Sequence, residues 1–179
     1  MSIKEVFEVK NFLMRDEISF IDSEILSDHV PWHYDKISTS ERFPFFKHTI
    51  ITRAETESSV TEIVSPLHDF FTNIQIRFCE TYDINIKKIY RQCLNLTFPC
   101  EDFEHGDPHV DHNFKHKNMI IYLNDDYEMG ETLFFNKHGK IIGEVKPEKG
   151  KIVCFDGSIF HSIKWIPKGR RIVFVSTFI

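Results

Sequence analysis

The sequence is short of cation. Twenty-two Lys and Arg against 27 Asp and Glu leave a formal net charge of −5, which argues against a surface built for non-specific duplex nucleic acid or acidic membranes. No apolar run approaches the ~20 residues of a membrane span, and the opening residues MSIKEVFEVK carry no apolar stretch of a secretory signal. A soluble, cytoplasmic protein is expected. The four cysteines, Cys79, Cys93, Cys100 and Cys154, include no Cys-x-x-Cys, so a structural zinc site or a disulfide scaffold is not expected and the thiols are read as reduced, small apolar groups in or near the core. Internal repeats, low-complexity tracts and a linker are likewise absent. A chain of 179 residues with these properties is expected to fold as one domain that buries about 70 % of its unfolded surface.

What is present is aromatic residues and histidine, with 18 Phe and 10 His. Ile18, Ile21, Ile25 and Leu26 follow helical spacing behind Asp16 and Glu17, which predicts a short first helix. Residues 30 to 50 mix Pro, Ser, Trp and paired Phe without period and are read as loop with short strands, a candidate lid. From Ser58, the positions Val60, Ile63, Val64, Leu67, Phe70, Phe71 and Ile74 keep a helical stripe interrupted by Pro66, so one or two helices are expected over 58 to 80. After Asn85 the pattern changes to short β-branched and aromatic runs separated by turn residues. Strands are expected at 87–98, 108–112, 118–124, 131–136, 140–146, 151–155, 159–164 and 171–178. The fold class is therefore mainly β with buttressing α-helices, a jelly roll or barrel, with 1–85 as support and 86–179 as the β core.

Three His-x-Asp triplets occur, at His33-Tyr-Asp35, His105-Gly-Asp107 and His109-Val-Asp111, and ten histidines make such triplets unremarkable by count. Side chains at i and i+2 converge on one ligand only if the segment is extended. The first triplet sits in an aperiodic loop and the second carries Gly and Asp-Pro turn chemistry, which leaves His109 and Asp111. Some 50 residues on, a strand, a tight turn and a second strand present His161. Two imidazoles and one carboxylate make a facial triad suited to non-haem Fe(II). A zinc hydrolase is disfavoured because no His-Glu-x-x-His helix is present. Arg171 opens the alternating strand Arg171, Val173, Val175, Thr177, with Arg170 facing the opposite way. An inward guanidinium calls for an anion, and a carboxylate held in bidentate fashion meets that need. Tyr122 brings a polar tip into the apolar run MIIYLN.

The ordered segments RQCLNL, EHGDPHVDH, MIIYLND, GETLFF, GKIVCFDGSIFH and GRRIVFVSTF resemble the 2-oxoglutarate and Fe(II)-dependent dioxygenases, in particular their small bacterial and phage prolyl-4-hydroxylase-like group. The resemblance implies a double-stranded β-helix of the cupin-like kind. It implies His109, Asp111 and His161 as iron ligands, Arg171 as partner of the distal carboxylate of 2-oxoglutarate, and Tyr122 as a second contact to that carboxylate. Asn95 and Arg91 match cavity-lining positions, and Thr132 flanks the co-substrate. Two departures stand out, Phe98 where many relatives carry a tyrosine and Met129-Gly130 in place of Gly-Gly.

The implied cofactors and co-substrates are Fe(II), 2-oxoglutarate and O2, with ascorbate as a reductant that keeps the iron active. The implied reaction is oxidative decarboxylation of 2-oxoglutarate to succinate with hydroxylation of an unactivated C–H bond, on a peptidyl proline or on a free amino acid or other small metabolite. A non-catalytic β-barrel that binds metal or 2-oxoglutarate is the alternative from another class. Oligomeric state has no signature in the sequence.

Overall fold

The computed structural model describes residues 6–36, 44–100 and 104–179. Two antiparallel sheets face one another. The large one runs in the order β1-β8-β5-β10-β4-β3-β2 and the small one β7-β6-β9. In chain order the strands are β1 (Val6–Val9), β2 (His33–Asp35), β3 (Phe45–Ile51), β4 (Ile89–Thr97), β5 (Lys117–Tyr122), β6 (Thr132–Phe135), β7 (Ile141–Val145), β8 (Ile152–Asp156), β9 (Phe160–Ile163) and β10 (Arg171–Phe178). This is the double-stranded β-helix expected from the sequence.

The alternation of the central strands divides the interior in two. On β10, Ile172, Phe174 and Phe178 join one apolar cluster with Leu94, Leu96, Met119, Ile121 and Ile152. Val173 and Val175 join the other, with Cys93, Ile120, Tyr122, Val153 and Phe134. The period of two therefore gives the sheet an outer face for helices and an inner face for a cavity.

The outer face is covered by α2 (His68–Thr81), which buries Phe71, Ile74, Gln75, Phe78 and Cys79, the i, i+3, i+4, i+7, i+8 stripe of a core-facing helix. Phe71 stacks on Phe174 with centroids 4.4 Å apart and planes 4° from parallel. The first helix, α1 (Arg15–Phe20), continues as a π-helical turn over Ile21–Ile25. Glu17 Oε2 accepts from the Met14 amide at 2.7 Å and pairs with Arg77 Nη2 of α2 at 2.6 Å, which joins the two helices. Where the turn ends, Arg170 Nη2 donates to the Leu26 carbonyl at 2.6 Å.

Three expectations are corrected. No helix forms over 58–67; α2 begins after Pro66, and the preceding segment runs extended beside β3, with Val64 N donating to Ile50 O and Thr52 N to Glu62 O, both at 2.9 Å. Val60 and Ile63 are accordingly exposed, at 90 % and 60 %. The expected strand at 108–112 is reduced to a single bridge between His109 and His161. Strand β1, which was not expected, joins the large sheet together with β2 and β3, the short strands expected within residues 30 to 50. Of the proposed lid, residues 37–43 lie outside the described residues.

All four cysteines are free thiols. Among the described residues no helix is long and apolar enough to cross a membrane.

Candidate active site

A cavity of about 600 Å³ opens between the inner face of the large sheet and the small sheet. His109, Asp111, His161, Arg171, Asn95 and Thr132 all line it, as do Arg91 and Arg53. The bridge between residues 109 and 161 is reciprocal: His109 N donates to His161 O at 3.1 Å and His161 N to His109 O at 3.0 Å. Residues directly opposite across such a pair project to the same side, and the two imidazole centroids lie 4.6 Å apart.

Each imidazole is oriented by a backbone carbonyl two residues earlier. His109 Nδ1 donates to Asp107 O at 3.0 Å and His161 Nδ1 to Ile159 O at 3.2 Å. A carbonyl can only accept, so both Nδ1 atoms carry hydrogen and, in the neutral form of each ring, both Nε2 atoms present lone pairs to the cavity. This is the outer support that metal-binding histidines require. His161 Nε2 faces Asp111 Oδ2 at 3.4 Å.

Burial alone would raise the Asp111 carboxyl, but His161, Arg91 and His109 together outweigh it and hold it well below the ordinary carboxylate range. Burial, helped by His161, lowers His109 to about 4. The donor set is thus one anionic carboxylate and an imidazole kept neutral at pH 7, next to a second imidazole, which fits a divalent first-row metal. As they stand, no group of three His, Cys, Asp or Glu among the described residues is posed to hold a metal ion.

Arg171, also on the cavity lining, is 5 % exposed. Its Nε donates to Gly130 O at 3.1 Å and its Nη2 to Thr132 Oγ1 at 3.3 Å. No carboxylate among the described residues pairs with it, so the cavity holds a buried cation with capacity for an anion. Tyr122 is fully buried and off the cavity wall. Its hydroxyl meets Thr132 Oγ1 at 2.6 Å and its ring lies 5.3 Å from the Arg171 guanidinium carbon. It supports Thr132 and Arg171 at the end of the cavity where the resemblance puts the distal carboxylate. Asn95 Oδ1 accepts from Cys93 Sγ at 3.3 Å. Phe98 is half exposed and packs edge-on against Phe46 at 5.9 Å, away from the cavity lining.

The sequence reading missed Arg53 and Asn118. Arg53 lies just beyond β3, lines the cavity and donates to the Asp111 carbonyl; the irregular register at the end of β3 leaves no period that would mark it. Asn118 is 1 % exposed, and among the described residues neither of its amide atoms has a partner.

No family model matches the chain. Among curated proteins it is similar to human prolyl 3-hydroxylase 2, with 32 % identity over 63 residues, 34 % of this chain. The chain spans only about a tenth of that relative's length, the match covering 9 % of it. Among solved structures it resembles an oxidoreductase of the 2OG-Fe(II) oxygenase family from Burkholderia pseudomallei (TM-score 0.78, 13 % identity, 97 % of this chain and 84 % of that one). It also resembles the viral collagen prolyl hydroxylase of Paramecium Bursaria Chlorella virus-1, solved as a 2OG complex (TM-score 0.59, 15 % identity, 98 % and 95 %). A third is the Trichoplax adhaerens prolyl hydroxylase in complex with a hypoxia inducible factor peptide fragment (TM-score 0.66, 13 % identity, 98 % and 84 %). At such identities these likenesses establish the shared fold.

Proposed function

We propose that the chain is a single-domain 2-oxoglutarate- and Fe(II)-dependent dioxygenase that hydroxylates an unactivated C–H bond, with a peptidyl proline as the favoured substrate. The observation that carries the reading is the convergence, in one cavity, of the paired His109 and His161, the anionic Asp111 and the carboxylate-free Arg171. The solved relatives that are prolyl hydroxylases, one of them with a bound peptide, favour the peptide substrate.

In this reading His109, Asp111 and His161 hold the metal and leave coordination positions for ligands. Fe(II), when bound, supplies the redox chemistry that couples reduction of O2 to decarboxylation of 2-oxoglutarate and oxidation of substrate. The protein's own contribution is placement. Arg171 grips the distal carboxylate of 2-oxoglutarate through charge-assisted hydrogen bonds. Thr132 and Tyr122 fix that guanidinium, while Val173, Val175 and Ile120 form an apolar wall that limits water. Asp107 O and Ile159 O keep both Nε2 atoms aimed at the metal.

Anaerobic addition of Fe(II) and 2-oxoglutarate is expected to give a charge-transfer absorption band, and aerobic incubation to release CO2 from labelled 2-oxoglutarate. Asp111→Ala should abolish both. A variant that still releases CO2 at the parent rate refutes the assignment.

A further inference from the structure

The chain is acidic overall, yet among the described residues the cavity is lined by Lys47, Arg53, Arg91 and Arg171 against Asp35 and Asp111. A divalent metal and a dicarboxylate co-substrate would cancel one another and leave this excess of cation in place. Lys47 is accounted for, since its Nζ lies 2.5 Å from Asp35 Oδ2. Arg171 belongs to the co-substrate. Arg53 and Arg91 remain.

Both converge on Asp111. Arg91 Nη1 pairs with Asp111 Oδ1 through a single long contact of 3.4 Å, which leaves its other guanidinium hydrogens for a further acceptor, and its side chain is 13 % exposed. Arg53 donates to the Asp111 carbonyl, not its carboxylate, and no carboxylate among the described residues pairs with it.

A second observation lies in the same row of the sheet. Thr177 of β10 pairs with Arg91 on one side and Asn118 on the other, so the three share one level of the inner face. Asn118 lines the cavity, and among the described residues both its amide atoms are unpartnered. Buried polar groups are costly unless a ligand or water completes them. With Arg53 reaching the backbone of the same Asp111, two guanidiniums and an amide donor line one stretch of the cavity and form a receptor for an anion with two oxygens.

We propose that Arg53 and Arg91, aided by Asn118, form a carboxylate subsite beside the metal ligands, so that the substrate carries a carboxylate close to the bond that is oxidised. The inference rests on the dioxygenase reading and narrows its substrate class. The carboxylate is either the α-carboxylate of a free amino acid or an acidic side chain flanking the target residue in a peptide.

The test uses matched probes: L-proline against L-prolinamide, and acetyl-Ala-Pro-Asp-amide against acetyl-Ala-Pro-Asn-amide. Binding is read by saturation-transfer NMR on protein loaded with Zn(II) and N-oxalylglycine, and coupling by CO2 release from 2-oxoglutarate with Fe(II). The carboxylate member of at least one pair should bind about tenfold tighter than its amide, and which pair responds tells free amino acid from peptide. Arg53→Gln should erase the preference, Arg53→Glu should reverse it and Arg53→Lys should retain part of it. Equal binding of both members, no binding of either pair, or a preference that survives Arg53→Gln overturns the subsite. The Fe(II) and 2-oxoglutarate charge-transfer band, measured on the same preparations, separates this outcome from failure of the dioxygenase reading, because that band does not depend on the probes.

Discussion

Tyr122→Phe removes one oxygen atom from a fully buried side chain that does not touch the cavity. The lost hydroxyl holds Thr132 Oγ1 at 2.6 Å, and the same Oγ1 receives Arg171 Nη2 at 3.3 Å. Losing one buried hydrogen bond costs about 1 kcal/mol, and leaving Thr132 with only its longer contact adds to that, for about 1–2 kcal/mol in all. In a domain of this size the melting temperature should drop by about 3–6 °C. The effect on catalysis passes only through the aim of Arg171, so the apparent KM for 2-oxoglutarate should rise about 3- to 10-fold, or ~0.7–1.4 kcal/mol. At saturating 2-oxoglutarate kcat should stay within about twofold, since the interaction serves ground state and transition state alike. Initial rates of CO2 release over a 2-oxoglutarate series give both constants, and thermal denaturation gives the stability. A double-mutant cycle with Thr132→Val should show a coupling energy of about 1 kcal/mol. An unchanged KM with a tenfold lower kcat would mean that Tyr122 acts on the chemistry and not through Arg171, and unchanged stability would refute the relay altogether.

Other consequences can be measured separately. At Gly157 an added Cβ would run into the ring of His116, itself 3 % exposed, so Gly157→Ala should destabilise by about 1–3 kcal/mol in urea titrations; a neutral result would show that the ring moves freely. Burial lowers His109 and His112 to about 4. The unfolded chain protonates these imidazoles near pH 6.5 while the native one does not until about pH 4. Stability of the metal-free protein should therefore be full above that upper value and fall as pH drops between the two, and urea midpoints that stay flat from about pH 7 to pH 5 would contradict the sign. Phe71→Ala, which removes the ring stacked on Phe174, should cost about 3–5 kcal/mol in the same urea titrations, and a loss below about 1 kcal/mol would show that the core closes over the gap.

The second half of the chain was readable because its strands are central. β10 was expected at 171–178 and spans Arg171–Phe178, since a strand covered on both faces must be apolar at nearly every position and a turn marks its start. The parity of Arg171 against Arg170 then followed from the period alone. The stripe at Val60, Ile63 and Val64 misled because residues that fit one helix face fit an extended segment equally well, and pairing with β3 decided between them. β1 escaped notice because four residues at a sheet edge show too little alternation to stand out. His109 was placed in a strand and occupies a single bridge, and the reciprocal bonds to His161 still set the two residues opposite one another as a strand would have done. Arg53 was not legible as a site residue: it lies 58 positions before the carbonyl it reaches, and only the folded sheet brings the two together.

Arg170 and Arg171 are neighbours with opposite duties, one tied to the Leu26 carbonyl and the other turned toward Thr132 and Gly130. Deleting either gives the same polypeptide, so the shortened chain has one guanidinium for two vacancies. Ile172 and Phe174 are fully buried on the helix-facing side and resist any slip that would exchange the faces of the strand. The surviving arginine would therefore stay inward, and the end of the π-helical turn would lose its tether to the barrel.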